Sequence, residues 1–269
     1  MMMSDKHLII NADDFGWDAA ATAGILHLLE KGKISSTTIL ANFATENDLE
    51  KLGSIEGIST GIHINLINGK PVSQPEEVAS LLDAEGNFLS AGKLYQKFLT
   101  RRINKDHVIK EVAAQITSLR EKGINISHAD SHQHLHQFPG FGKWILQAIA
   151  ENGIRKVRNC RLTRVHAGRS AVIALFAAVT SRHLKPFRHP DALIAELSFG
   201  ADYSDEFAQQ LLLSHFRKGD VLEIMTHPAT ADKTDSYLHR KAEFDFWDNL
   251  DLQRLLKKHQ IKLINYHQL

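Results

Sequence analysis

Residues 128–138 hold four of the chain's sixteen histidines, His128, His132, His134 and His136, together with Asp130. Imidazole is the commonest protein ligand for transition metals, and a neighbouring carboxylate can bind metal itself or orient the ring. His132, His134 and His136 alternate, so an extended segment would carry them on one face. A histidine-rich exposed loop is the competing reading. Further acids and histidines lie at or near the ends of strand-like runs. Asp13 and Asp14 follow residues 7–12, His63 comes late in residues 58–66, Asp130 and His132 follow residues 124–129, and His227 follows residues 220–225. Taken singly, Asp13 and Asp14 fit a turn and helix cap, His63 a hydrogen-bonded core histidine, and Asp130 or His227 a loop residue. Two adjacent acids, however, repel each other in a way that a single cap avoids.

Those residues need elements to hold them. Besides the four runs named above, residues 34–41, 156–160, 193–199 and 261–266 are β-prone. Helical spacing of apolar residues predicts helices over 17–31, 45–53, 103–122, 141–152, 170–181, 204–217 and 240–259, the sixth with Ser204 as its cap. Strand and helix alternate through the chain, which predicts a parallel sheet, and seven or eight strands can close into a distorted (β/α) barrel resembling a TIM barrel. In such a barrel the C-terminal strand ends converge on one mouth, where active sites are built. A doubly wound open sheet is the alternative, but no glycine fingerprint for a dinucleotide accompanies it. Residues 67–104, punctuated by Gly69, Pro71, Pro75, Gly86 and Gly92, are the least regular stretch and read as a lid-like insertion in a single domain spanning 1–269. Phe138 and Trp144 are its aromatic companions for stacking on a ring-shaped substrate, or plain core.

The balance of 32 Lys and Arg against 31 Asp and Glu, a net charge of +1, argues against nucleic acid or an anionic membrane as the main partner. Residues 171–179 form the longest apolar patch and are too few to span a bilayer. Cys160 is the only cysteine, which excludes an intrachain disulfide and a thiolate cluster and leaves nitrogen and oxygen ligands suited to Zn, Mg or Mn. The polar N-terminus lacks the features of a secretory signal, so a soluble cytoplasmic protein is expected.

With these residues in place the chain resembles the YdjC-like carbohydrate deacetylase family, which includes chitooligosaccharide deacetylases. The resemblance rests on Asn11-Ala12-Asp13-Asp14-Phe15-Gly16, on Gly61-Ile62-His63-Ile64-Asn65-Leu66 with Gly69-Lys70-Pro71 behind it, on Asp130-Ser131-His132-Gln133-His134-Leu135-His136, and on Thr226-His227-Pro228. It implies a barrel similar to that of polysaccharide deacetylases and one divalent ion, Mg or Zn, held by Asp14, His63 and His132. It further implies Asp13 as general base and His227, protonated, as general acid. Asp130 would orient a histidine or bind the sugar, and His134 and His136 would serve as substrate-binding or supporting residues. The implied partner is an N-acetylated sugar, and a homodimer is the implied assembly. Two other readings stay open at this point: a different metal-dependent hydrolase on the same barrel, and a non-catalytic metal- or sugar-binding protein.

Overall fold

The computed structural model describes residues 6–199, 204–213, 215–216, 220–233 and 238–269. In chain order the elements are β1 (Lys6–Phe15), α1 (Ala19–Glu30), β2 (Ser36–Ile39), α2 (Glu46–Gly53), β3 (Ser59–Ile64), α3 (Ala91–Leu99), α4 (Lys105–Glu121), β4 (Ile126–Ser131), α5 (Gly142–Glu151), α6 (Arg169–Thr180), β5 (Ala192–Ile194), α7 (Asp205–Leu213), β6 (Val221–Thr226), α8 (Arg240–Asn249), α9 (Leu252–His259) and β7 (Ile261–Leu263). Among the described residues seven strands, all parallel, form one curled sheet in the order β4-β3-β2-β1-β6-β5. β7 pairs with β1 along Lys6–Leu8, and β2 takes over from Asn11 to Phe15.

Residues 155–163 run between the two edge strands. The Ala129 amide donates to the Lys156 carbonyl and the Arg158 amide to that of Ala129; on the other side Thr163 and Leu193 exchange bonds with Leu193 and Arg161. The result is a distorted parallel (β/α) barrel. The strand expected at 156–160 is therefore present only as isolated bridges, because it meets its two neighbours at different places along its length.

Alternation along each strand sorts the side chains. Leu8, Ile10 and Ala12 of β1, Ile39 of β2, Ile62 and Ile64 of β3, Ala129 of β4, and Leu222 and Ile224 of β6 share one apolar core with helix residues such as Ile25, Leu28, Val112 and Ile116. The opposite face is polar. Asn11, Asp13, Ser36, Thr38, Ser59, His63, His128, Asp130 and Glu223 are all buried there, joined by Arg158 and Tyr266. A barrel interior of this kind is stable only where nearly every donor and acceptor finds a partner.

Gly61 shows how tightly the interior is filled. The His128 ring stacks on Tyr266, with centroids 3.6 Å apart and planes 5° apart. A Cβ at position 61 would lie 2.5 Å from that imidazole. Gly61→Ala is expected to lose about 2 kcal/mol through overpacking, read as a lowered midpoint in denaturant unfolding. An unchanged midpoint would show that the ring can move aside.

Four expectations are revised. Residues 67–104 carry α3 and pack into the main core through Val78, Leu81, Leu82, Phe88, Leu89 and Leu94. Glu111 of α4 also pins this stretch by accepting bonds from the Val72 and Ser73 amides. The run 193–199 is β5 only as far as Ile194, followed by a 3₁₀ turn over Glu196–Phe199. The single helix expected over 240–259 is two, because Leu250 is extended and Asp251 caps α9 at the Arg254 amide. The last strand stops at Leu263. The helix expected over 204–217 is α7, with Ser204 Oγ accepting from the Phe207 amide; Arg217 lies outside the described residues, as do residues 1–5 and 200–203 of the segments read above. No helix among the described residues is long and apolar enough to cross a membrane.

Candidate active site

Neighbouring residues on a strand point to opposite faces, so Asp13 and Asp14 should diverge. They do not, because the β1–β2 register shifts between Ala12 and Phe15 and Asp14 takes a left-handed φ of 67°. Such irregularities re-aim side chains, and Asp is one of the few residues that tolerates this backbone region. Both carboxylates are 1% exposed. They meet His63 from the end of β3 and His132 from the first residue after β4.

Asp14 Oδ1 lies 3.0 Å from His132 Nδ1 and 3.4 Å from His63 Nε2. One donor atom each from Asp14, His63 and His132 falls within 4.8 Å of the others. Asp13, His63 and Asp130 form a second, overlapping group with the same property. A carboxylate and two imidazoles are a sound donor set for a divalent ion. Asp130 Oδ1 is 2.6 Å from His63 Nδ1, which turns the other ring nitrogen toward Asp14. Burial works against charge on His63, but Asp130, Asp14 and Asp13 outweigh it and raise the imidazole to about 10. The buried carboxylates thus gather positive charge at the place where a cation would sit.

Arg158, wholly buried, closes the floor. Its Nη1 and Nη2 donate to the two oxygens of Asp13, each at 2.6 Å, and Nη1 reaches Asp130 Oδ2 at 2.7 Å. Nε and Nη2 donate to Glu223 Oε1, whose partner oxygen accepts from the Tyr266 hydroxyl at 2.7 Å. Burial alone would raise the Asp13 carboxyl; the Arg158 guanidinium beside it wins and holds it well below the usual carboxylate range. Asp14 is held low in the same way, against burial, by His132, His63 and Arg240, with Arg240 Nη2 donating to Asp14 Oδ2 at 2.6 Å.

His227 follows β6 directly, with Nε2 3.9 Å from Asp13 Oδ2. Its side chain and that of His132 are 12% and 13% exposed, the open side of an otherwise buried cluster. The sequence reading has His227 protonated. Burial lowers it to about 4, outweighing the pull of Asp13 and Asp14, and so works against that protonated form. His134 and His136 point elsewhere. His136 is fixed between Ser131 Oγ at 2.6 Å and the Arg158 carbonyl at 3.1 Å. His134 is buried at consecutive left-handed residues, Gln133 and His134, and its Nδ1 has no hydrogen-bond partner.

The aromatic side chain against the site is Trp17, stacked on His132 at 5.3 Å and approached by Lys233 at 5.2 Å. Phe138 and Trp144 instead join an aromatic cluster linking α3, α5 and α6, with Tyr95, Phe98, Phe141 and Phe176. Sequence reasoning missed Trp17, Arg158, Glu223, Arg240 and Glu243. Two of them carried a signal. Trp17 sits directly behind Asp13-Asp14-Phe15-Gly16, and Glu223 interrupts an otherwise apolar strand, which requires a buried partner. Nothing in the local pattern marks Arg158, Arg240 or Glu243.

Fold and cluster together define a parallel (β/α) barrel protein with a candidate divalent-cation site at its strand ends. A profile of the family described as YdjC-like protein matches residues 7–258. The carbohydrate deacetylase of Listeria monocytogenes serotype 4a (strain HCC23) is 30% identical over 271 residues, covering 97% of this chain and 99% of that protein. The carbohydrate deacetylase of Enterococcus faecalis (strain ATCC 700802 / V583) is 28% identical over 277 residues, covering 99% of each. A crystal structure from Enterococcus faecalis V583, described as that of a candidate cellobiose-phosphate cleavage protein, superposes with a TM-score of 0.79 at 27% identity, covering 98% of this chain and 99% of that one. The chain belongs to the YdjC-like family.

Proposed function

We propose that this chain is a metal-dependent hydrolase that removes the N-acetyl group from an N-acetylated amino sugar or oligosaccharide. The observation that carries the reading is the convergence of Asp14, His63 and His132 beside a second, ionised carboxylate and an imidazole that borders the open side. The carbohydrate deacetylases that match the chain over nearly its whole length support the same substrate class.

Asp14, His63 and His132 would hold one divalent ion, Mg or Zn. When bound, that ion supplies Lewis acidity toward the acetamide carbonyl and the attacking water. Asp13 is the general base. Arg158 keeps it ionised and aimed, while lowering its basicity. His227 is the general acid. Burial disfavours a resting imidazolium, so the proton it hands to the departing amine reaches it during turnover, with Asp13 the neighbouring carrier at 3.9 Å. Asp130 orients His63, and His136 braces the segment that follows β4. Trp17, stacked on His132 beside the open side, is the residue of this set best placed to meet a sugar, and buried His134 is a supporting residue of the segment after β4. The core-packed segment 67–104 serves as a fixed wall or lid in a single catalytic domain.

A cytoplasmic homodimer belongs to the same proposal. The lone cysteine fits a reducing compartment, and the exposed stripe Val172, Leu175 and Val179 on α6 fits a subunit contact.

Chelated protein is expected to release no acetate from N-acetylglucosamine mono- and oligosaccharides, and to recover on adding back Zn or Mg. His132→Ala is expected to stay inactive under both conditions. Release that survives chelation, or metal bound without release from any sugar, would overturn the reading.

A further inference from the structure

Helix α8 brings two side chains, one turn apart, to the site: Arg240 reaches Asp14 and Glu243 reaches His227. Glu243 is completely buried. Its Oε2 accepts from the Thr226 hydroxyl and from the His227 backbone N–H, each at 2.6 Å. Trp247 Nε1 donates to the same Thr226 oxygen at 2.9 Å, which turns the hydroxyl proton toward Glu243. The carboxylate is thereby held in orientation by two donors, the Thr226 hydroxyl and the His227 amide, the first of them itself fixed by Trp247.

Its other oxygen is not accounted for by that role. Oε1 is buried, accepts no hydrogen bond, and lies 4.0 Å from His227 Nδ1. On the far side of the ring, Nε2 faces Asp13 Oδ2. The imidazole therefore stands between two carboxylates, one opposite each nitrogen. Among the described residues, Asp14 on β1, His63 on β3 and Arg240 on α8 are further charged groups acting on it. A buried carboxylate oxygen without a donor is unfavourable, and a small rotation of the ring would supply one. Hydrogen bonds in resting catalytic sites are often long and tighten when substrate binds.

Resting on the reading of His227 as proton donor, we propose that Glu243 is its positioning residue. It holds His227 as the Nδ1–H tautomer, so that Nε2 is the atom that takes up a proton from the Asp13 side. As the C–N bond breaks, Nε2 passes that proton to the amine nitrogen, and Glu243 offsets the transient imidazolium charge without itself gaining a proton. Burial pushes the Glu243 carboxyl up to about 7, against its bonds to Thr226 and His227, so an adjacent cation would stabilise its ionised form.

The test uses the full metal-loaded chain, with ¹⁵N-imidazole NMR of His227 beside steady-state kinetics. The wild type is expected to show the Nδ1–H tautomer. In Glu243→Gln the amide N–H₂ faces Nδ1, so the tautomer switches to Nε2–H and kcat falls roughly a hundredfold with KM within about threefold. Glu243→Asp, which keeps the carboxylate, is expected to recover about tenfold of that loss in kcat. Thr226→Val removes the anchoring hydroxyl but leaves the carboxylate, and is expected to lower kcat by no more than about threefold.

An Nε2–H tautomer in the wild type, or equal losses in Thr226→Val and Glu243→Gln, would overturn the proposal. If Glu243→Gln fails to fold, the wild-type tautomer and the Asp variant still decide. A wild type that releases no acetate refutes the deacetylase reading instead, and the tautomer then judges Glu243 by itself.

Discussion

Asp13→Asn is expected to lower acetate release roughly a thousandfold while the protein still binds its metal ion. The substitution preserves shape and removes the role proposed for this side chain, accepting the water's proton and passing it on toward His227. It leaves Asp14, His63 and His132 untouched, so metal content measured by mass spectrometry should stay near one ion per chain. Arg158 keeps two of its three carboxylate partners, Asp130 and Glu223, so the variant should remain folded. Loss of metal together with activity would move Asp13 into the ligand set, as its grouping with His63 and Asp130 allows. Wild-type turnover in Asp13→Asn would remove it from the mechanism altogether.

Arg158→Met is expected to be the most destabilising single change in the barrel, by about 3–5 kcal/mol in denaturant unfolding near neutral pH. The guanidinium is wholly buried and is the shared cation of Asp13, Asp130 and Glu223. Methionine fills the volume and leaves three carboxylates with His63 as the nearby positive group. The pH dependence has a definite sign. In the wild type the depressed Asp13 contributes stability that is present above its unfolded pKa near 4 and is lost as pH falls through the folded value. In the variant the unpaired carboxylates favour the neutral form when folded, so stability declines as pH rises above about 4. The deficit should therefore be larger at pH 8 than at pH 5. A loss below about 1 kcal/mol, the same at both values, would show that the network does not depend on Arg158.

Much of the site was legible because its chemistry is local. Asp13, Asp14, His63, Asp130, His132 and His227 each stand at or near the end of a β-prone run, and a parallel barrel can only bring such ends together. Their partners were not legible. Arg158 reads as one cation in a short mixed segment, and Arg240 and Glu243 as ordinary charges on a helix. Their importance comes from contacts across 145, 226 and 16 positions of the chain.

Period-two and helical spacing by themselves determined a parallel α/β sheet able to close into a barrel, and residue type at the strand ends pointed to a nitrogen- and oxygen-ligand cation site. Both follow from short-range rules: which face a side chain takes, and which atoms can bind a hard or borderline ion. Only the tertiary structure decided that β1 breaks register so that Asp13 and Asp14 share one site. It also decided that the barrel interior is polar, and that burial works against charge on the His227 imidazole. These depend on desolvation and on charges brought together from distant segments, quantities that no local window of sequence contains.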